Sequence, residues 1–145
     1  MELILNRIDY AESLCLDGYS SGGNLFFSVA DEFFPAEHWY DCAFLDLKTW
    51  LPRLISFGSN HTDRCEFSFM DGPYTLHLDR RKDGSICAHC FRDHDLIIFQ
   101  QKVDLRTLLK STLSCCRKYD RFLYENGKAN VFQEEIKTLM KLLDT

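Results

Sequence analysis

Cys65-Glu66-Phe67-Ser68-Phe69-Met70-Asp71-Gly72-Pro73-Tyr74-Thr75-Leu76-His77-Leu78-Asp79 is the stretch that decides the fold. On one side of Asp71-Gly72-Pro73, Cys65, Phe67 and Phe69 alternate with Glu66, Ser68 and Met70. On the other, Tyr74, Leu76 and Leu78 alternate with Thr75, His77 and Asp79. A period of two is the mark of a half-buried strand, and Gly and Pro between two such runs mark a chain reversal. Downstream, Asp83-Gly84 is a short hairpin signal, because Gly supplies the positive φ that such turns need. Ser85–Phe91 and Leu96–Lys102, linked by Arg92-Asp93-His94-Asp95, complete an antiparallel meander.

Working outward, Glu2–Ile8 reads as an edge strand. Leu14-Cys15-Leu16 leads into a turn-rich stretch, Asp17–Asn24, and Leu25–Ala30 follows as a strand with Phe26 and Phe27 on opposite faces. Phe34-Pro35 interrupts that strand, since Pro cannot donate to a sheet ladder. Asp41 is placed as N-cap of a helix carrying Phe44, Leu47, Leu51, Leu54 and Ile55. Pro52 predicts a bend near Lys48 or a later start, and Gly58-Ser59-Asn60 a stop. The C-terminal third predicts two more helices. One has Asp104 as N-cap and Leu105, Leu108, Leu109, Leu113, Cys116, Phe122 and Leu123 on its apolar face, ending at Asn126-Gly127. The other opens on an Asn130/Gln133 capping box, with Phe132, Ile136, Leu139, Met140 and Leu143 inward. The expected fold is α+β: a single domain over residues 1–145, with an antiparallel sheet of about five to six strands. Helices pack largely on one face, two of them C-terminal.

Charge is distributed unevenly along the 145 residues. Up to Asp46 there are nine acids and one base, Arg7, a net charge of −8; the rest of the chain carries +3. An acidic surface that meets something basic is the natural expectation, and a nucleic-acid binder, which needs a basic stripe, is not. No run is long enough to span a membrane. Met1-Glu2 opens no secretory leader, and seven cysteines, an odd number set mostly in apolar segments, read as reduced thiols. Cytoplasmic location is therefore expected.

Candidate chemistry is sparse. Cys87-Ala88-His89-Cys90 with His94 resembles half a zinc site, but the second half is absent, and an odd separation along a strand puts Cys87 and Cys90 on opposite faces. A Cys42/His38 nucleophilic pair has no accompanying signature. Ser20-Ser21-Gly22-Gly23 lacks the Lys of a phosphate-binding loop, and Arg80-Arg81-Lys82 reads as a solvated turn. No cofactor is expected. The more telling cluster is Asp31, Glu32, Glu37 and Asp41 around Phe33, Phe34, Trp39 and Tyr40. Anions steer a basic partner while aromatics anchor it. The competing reading folds the aromatics beneath the sheet and lets the acids favour a helix N-terminus.

Gly18-Tyr19, Leu25-Phe26-Phe27-Ser28-Val29, Phe34-Pro35-x-x-x-Trp39, Leu47-x-x-Trp50-Leu51 and Glu66-Phe67-Ser68-Phe69-Met70-Asp71-Gly72-Pro73-Tyr74 together resemble a group of small bacterial immunity proteins. These accompany the toxins of contact-dependent growth inhibition and other polymorphic toxin systems. The resemblance runs from about Ser13 to Leu78. It implies a binding protein, not an enzyme, whose partner is the C-terminal domain of one cognate toxin. Asp31, Glu32, Glu37, Trp39, Tyr40 and Asp41 are the expected contacts, with Asp71, Asp93 and Asp95 on loops beside the sheet. The protein is expected as a monomer or weak homodimer, without nucleic acid or membrane as partner. A zinc- or thiol-dependent protein built on Cys87, His89, Cys90 and His94 is the alternative.

Overall fold

The computed structural model of the protein describes residues 1–9 and 21–145. Leu14–Leu16, Gly18-Tyr19 and the first part of the turn-rich stretch lie outside the described residues. Among the described residues, eight strands and three helices follow one another: β1 (Glu2–Asp9), β2 (Gly22–Val29), β3 (Glu32–Phe34), β4 (Tyr40–Asp41), α1 (Ala43–Gly58), β5 (Arg64–Ser68), β6 (Tyr74–Arg80), β7 (Ile86–Arg92), β8 (Asp95–Gln100), α2 (Leu105–Glu125) and α3 (Gln133–Leu143). The class is α+β, with two C-terminal helices. The strands divide between two antiparallel sheets of four, β1-β2-β3 with β4 also on β2, and β5-β6-β7-β8. Periodicity reveals strands but not their partners, so the division was not readable from the residues.

The second sheet is the meander the alternation predicts. Cys65, Phe67, Phe69, Leu76, Leu78, Ala88, Cys90 and Ile98 point into the core, and Gly72 and Gly84 take the positive φ of their turns (82° and 86°). In the first sheet the chain reverses earlier than Phe34-Pro35. Ala30 and Asp31 both have positive φ (51° and 63°), a two-residue turn that pairs Val29 with Glu32. An Ala-Asp pair is a weak turn signal, which is why Pro35 looked like the break.

α1 packs against both sheets. Trp50 sits 5.6 Å from the Phe27 ring of β2 and 5.5 Å and 4.9 Å from Phe67 and Phe69 of the second sheet. Its indole Nε1 donates to Ser68 O at 3.0 Å, so the buried polar atom is satisfied. The helix starts at Ala43 and runs through Pro52. Gly58, Ser59 and Asn60 (φ 62°) end it as expected. Arg80 is not a solvated turn residue. Its guanidinium lies 4.3 Å from the Phe57 ring centre and donates to Phe57 O at 2.8 Å, capping the C-terminal end of α1.

β1 is an edge strand, and α2 covers its open side. Ser111 Oγ accepts from Leu3 N, Cys115 Sγ donates to Leu3 O, and Lys118 Nζ donates to Leu5 O and Asn6 O at 2.7 and 2.9 Å. These side chains satisfy an edge that would otherwise be open to another strand. α2 begins with Asp104 accepting from Arg106 N and Thr107 Oγ1, as expected of an N-cap. α3 does not use the predicted capping box: its N-cap is Phe132, without a side-chain cap. The buried Asp120 of α2 does the work instead, accepting from Val131 N and Phe132 N at 3.0 and 3.2 Å.

Asp120→Ala therefore leaves two backbone donors unmet and is expected to destabilise the fold by about 2–3 kcal/mol. Asn130→Ala is expected to change stability by less than about 0.5 kcal/mol. Chemical denaturation of the two variants checks the assignment; equal effects would contradict it.

Candidate protein-binding surface

The β2–β3 turn projects Asp31 and Glu32 into solvent with Phe33 beside them. Neither acid has a cation of the described residues within ion-pair distance. Ala30 N donates to Gln100 Oε1 at 2.9 Å, which pins this turn to the C-terminal end of β8. β8 is an edge of the second sheet, and three of its side chains stand out from the surface: Leu96 at 52% exposure, Ile97 at 47% and Phe99 at 44%. A register shift between Cys90 and Phe91 breaks the alternation there and turns successive apolar residues outward.

Asp93 and Asp95 mark the other end of β8, in and beside the two-residue turn that joins it to β7. Asp93 N donates to Pro73 O at 2.7 Å, so the turn carrying Asp71 lies alongside. A β-carbon on Gly72 would come within 3.5 Å of Trp39, which leans over the same turn and stacks edge-on against Tyr74 at 5.1 Å. The arrangement is an apolar strip with carboxylates at both ends.

Other predicted residues go elsewhere. Tyr40 pairs with Asn24 in the first half of β2, roughly 20 Å along the strand from Asp31. Glu37 stands 3.4 Å from His38, whose ring packs at 5.8 Å on Phe26, the same ring that Phe33 meets at 5.5 Å. Asp41 is not a surface residue: at 2% exposure it is inside the protein. Its Oδ2 accepts from Trp39 Nε1 and Asp71 N (2.9 and 3.1 Å), and its Oδ1 from Cys42 N at 2.7 Å. Asp41 thus holds Trp39 and the Asp71 turn in place without itself being available to a partner.

Asp46, a further member of the acidic third, is fully buried one helical turn into α1. Its Oδ1 accepts from Met70 N at 3.1 Å, while no donor is aimed at Oδ2. Burial, and then the Asp41 carboxyl within hydrogen-bonding reach, push its pKa up to about 9. A proton on Asp46 turns its carboxyl into a donor toward Asp41. Two of the nine early acids are therefore structural. Composition alone could not separate them from Asp31 and Glu32.

The Cys/His segment is also split. Cys90 faces the core, where burial and then Glu32 push its thiol up to about 12. His94 is exposed in the β7–β8 turn. Cys87 and His89 share the outer face with Asp79, and the ligand atoms of these three lie within 4.8 Å of one another. Among the described residues this is the set that could hold a metal. A charged surface that the balanced C-terminal composition concealed is the exposed side of α2, where Lys110, Arg117 and Arg121 follow at helical spacing. Among the described residues, no helix is long and apolar enough to cross a membrane.

No family model, curated protein or solved structure matches the chain.

The raised pKa of Asp46 makes stability depend on pH. Between the ordinary carboxylate pKa and about 9 the folded state holds one proton more than the unfolded state, so raising the pH through this window destabilises the fold. Asp46→Asn keeps an acceptor for Met70 N and a donor for Asp41 but removes the titration. Its stability relative to the native protein should be about 2–4 kcal/mol more favourable near pH 8 than near pH 5. Denaturation at the two pH values checks this; a difference independent of pH would contradict it.

Proposed function

We propose that this chain is a non-enzymatic binding protein that neutralises a cognate bacterial toxin domain of basic surface, covering it with the β8 strip and its acidic ends. The observation that supports this most directly is the pairing of Leu96, Ile97 and Phe99 with Asp31 and Glu32 at one end of β8 and Asp93 and Asp95 at the other. Exposed apolar side chains on a sheet edge supply desolvated anchors, and surrounding carboxylates supply steering and register against a cationic partner. The small immunity proteins that the N-terminal half resembles imply the same kind of action. On this reading inhibition is occlusion: the partner's groove, basic because it must hold phosphates, is filled by a surface that offers anions without a scissile bond.

The edge position of β8 adds a second mode of contact. Its outer backbone groups can pair with a strand of the partner, while Leu96 and Phe99 on the outer face fix the register. Asp41 and Asp46 serve indirectly, by holding the β5–β6 turn from within.

The test uses the basic C-terminal domain of a candidate cognate toxin. Asp31→Lys/Glu32→Lys is expected to slow association about tenfold at low salt and to flatten the salt dependence. Phe99→Ala is expected to weaken the complex by about 2 kcal/mol, mainly through faster dissociation. Surface-plasmon kinetics check both; native binding by both the charge-reversal and Phe99→Ala variants would overturn the proposal.

A further inference from the structure

We infer that Asp79, Cys87 and His89 form a binding site for a zinc-like divalent cation on the outer face of the second sheet. The residues come from adjacent strands: Asp79 of β6 is the cross-strand partner of Cys87 in β7, and His89 follows two residues on, on the same face. One sulfur, one imidazole nitrogen and one carboxylate oxygen make the mixed donor set that zinc accepts. His89 Nδ1 and Asp79 Oδ2 are 3.4 Å apart. Neighbouring donors in a tetrahedral zinc shell lie about 3.3–3.6 Å from each other, given the usual metal–ligand bond lengths. Cys87 Sγ lies within 4.8 Å of both and supplies the third donor.

Two further observations favour a ligand role over simple packing. His89 Nδ1 is buried and makes no hydrogen bond, with Asp79 Oδ2 at ion-pair distance, 3.4 Å. A buried imidazole nitrogen without a hydrogen bond is uncommon, and a metal shared with Asp79 would use its lone pair. Asp79 is held from behind: Arg64 Nε donates to Oδ1 at 2.7 Å, which leaves Oδ2 directed toward His89. Such outer hydrogen bonds orient ligating carboxylates in known metal sites. Cys87 Sγ donates to Asp79 O at 3.7 Å, so the thiol already sits beside the carboxylate that would share the ion.

The site differs from the one the sequence pattern offered. Cys90, three residues from Cys87, faces the core, and His94 lies in a turn. Asp79, which no sequence spacing connects to Cys87, replaces them. Three protein ligands on a solvent-facing sheet leave the fourth position to water. Binding releases the Cys87 proton and requires neutral His89. The site borders the β8 strip, since the His89 and Phe99 rings lie 5.0 Å apart across paired strands, but cobalt binding reads it without reference to the toxin-binding proposal.

Titration of the reduced, metal-stripped full chain with cobalt(II) alone tests the inference, because a thiolate–cobalt bond gives a charge-transfer band in the near ultraviolet. One equivalent should produce the band, and zinc should abolish it by competition. Cys87→Ser should remove the band, and Asp79→Asn and His89→Gln should each weaken binding at least about tenfold. Cys90→Ser should leave it unchanged. Absence of the band in the native chain, or its persistence in Cys87→Ser, would overturn the assignment.

Discussion

The packing of Trp50 against Phe27, Phe67 and Phe69 is the contact on which the two-sheet arrangement depends. Each sheet offers one apolar face, and neither can bury it alone. α1 carries a single large side chain that touches both, at ring distances of 4.9–5.6 Å, and ties its own polar atom to Ser68 O. Phe27 also lies 5.2 Å from Phe67, so the sheets meet directly beside the indole. With the sheets joined in this way, their remaining edges settle into different roles. The β1 edge is closed by α2, and the β8 edge keeps an apolar strip open to solvent.

Legibility in the sequence followed the range of the interactions. The meander, the Asp104 cap and the Asn126-Gly127 stop rest on contacts a few residues apart, and alternation or spacing reveals them. The division into two sheets, the closure of β1 by Ser111 and Lys118, and the capping of α3 by Asp120 join residues from distant parts of the chain. The same distinction explains the charges. Nine early acids were countable, but only the structure separates Asp31 and Glu32, on an exposed turn, from Asp41 and Asp46, which face each other inside the protein. Asp79 was legible as a strand residue and nothing more, because its partners lie across a hairpin.

The two charged surfaces give the molecule a direction. Carboxylates gather at the ends of β8, while Lys110, Arg117 and Arg121 line the exposed side of α2. The basic partner proposed above would be drawn to the first and repelled by the second, which orients the encounter before any contact forms. The buried pair beneath the β5–β6 turn keeps this surface in shape: Asp41 and Asp46 between them hold the backbone N–H groups of Met70 and Asp71.

Backbone amide hydrogen exchange of the chain, free and mixed with the basic toxin domain proposed as its partner, examines the binding surface most directly. The account predicts slowed exchange concentrated in β8, the β2–β3 turn and the β7–β8 turn, with α2 unchanged. Protection confined to the exposed side of α2, or to α1 and β5, would contradict it.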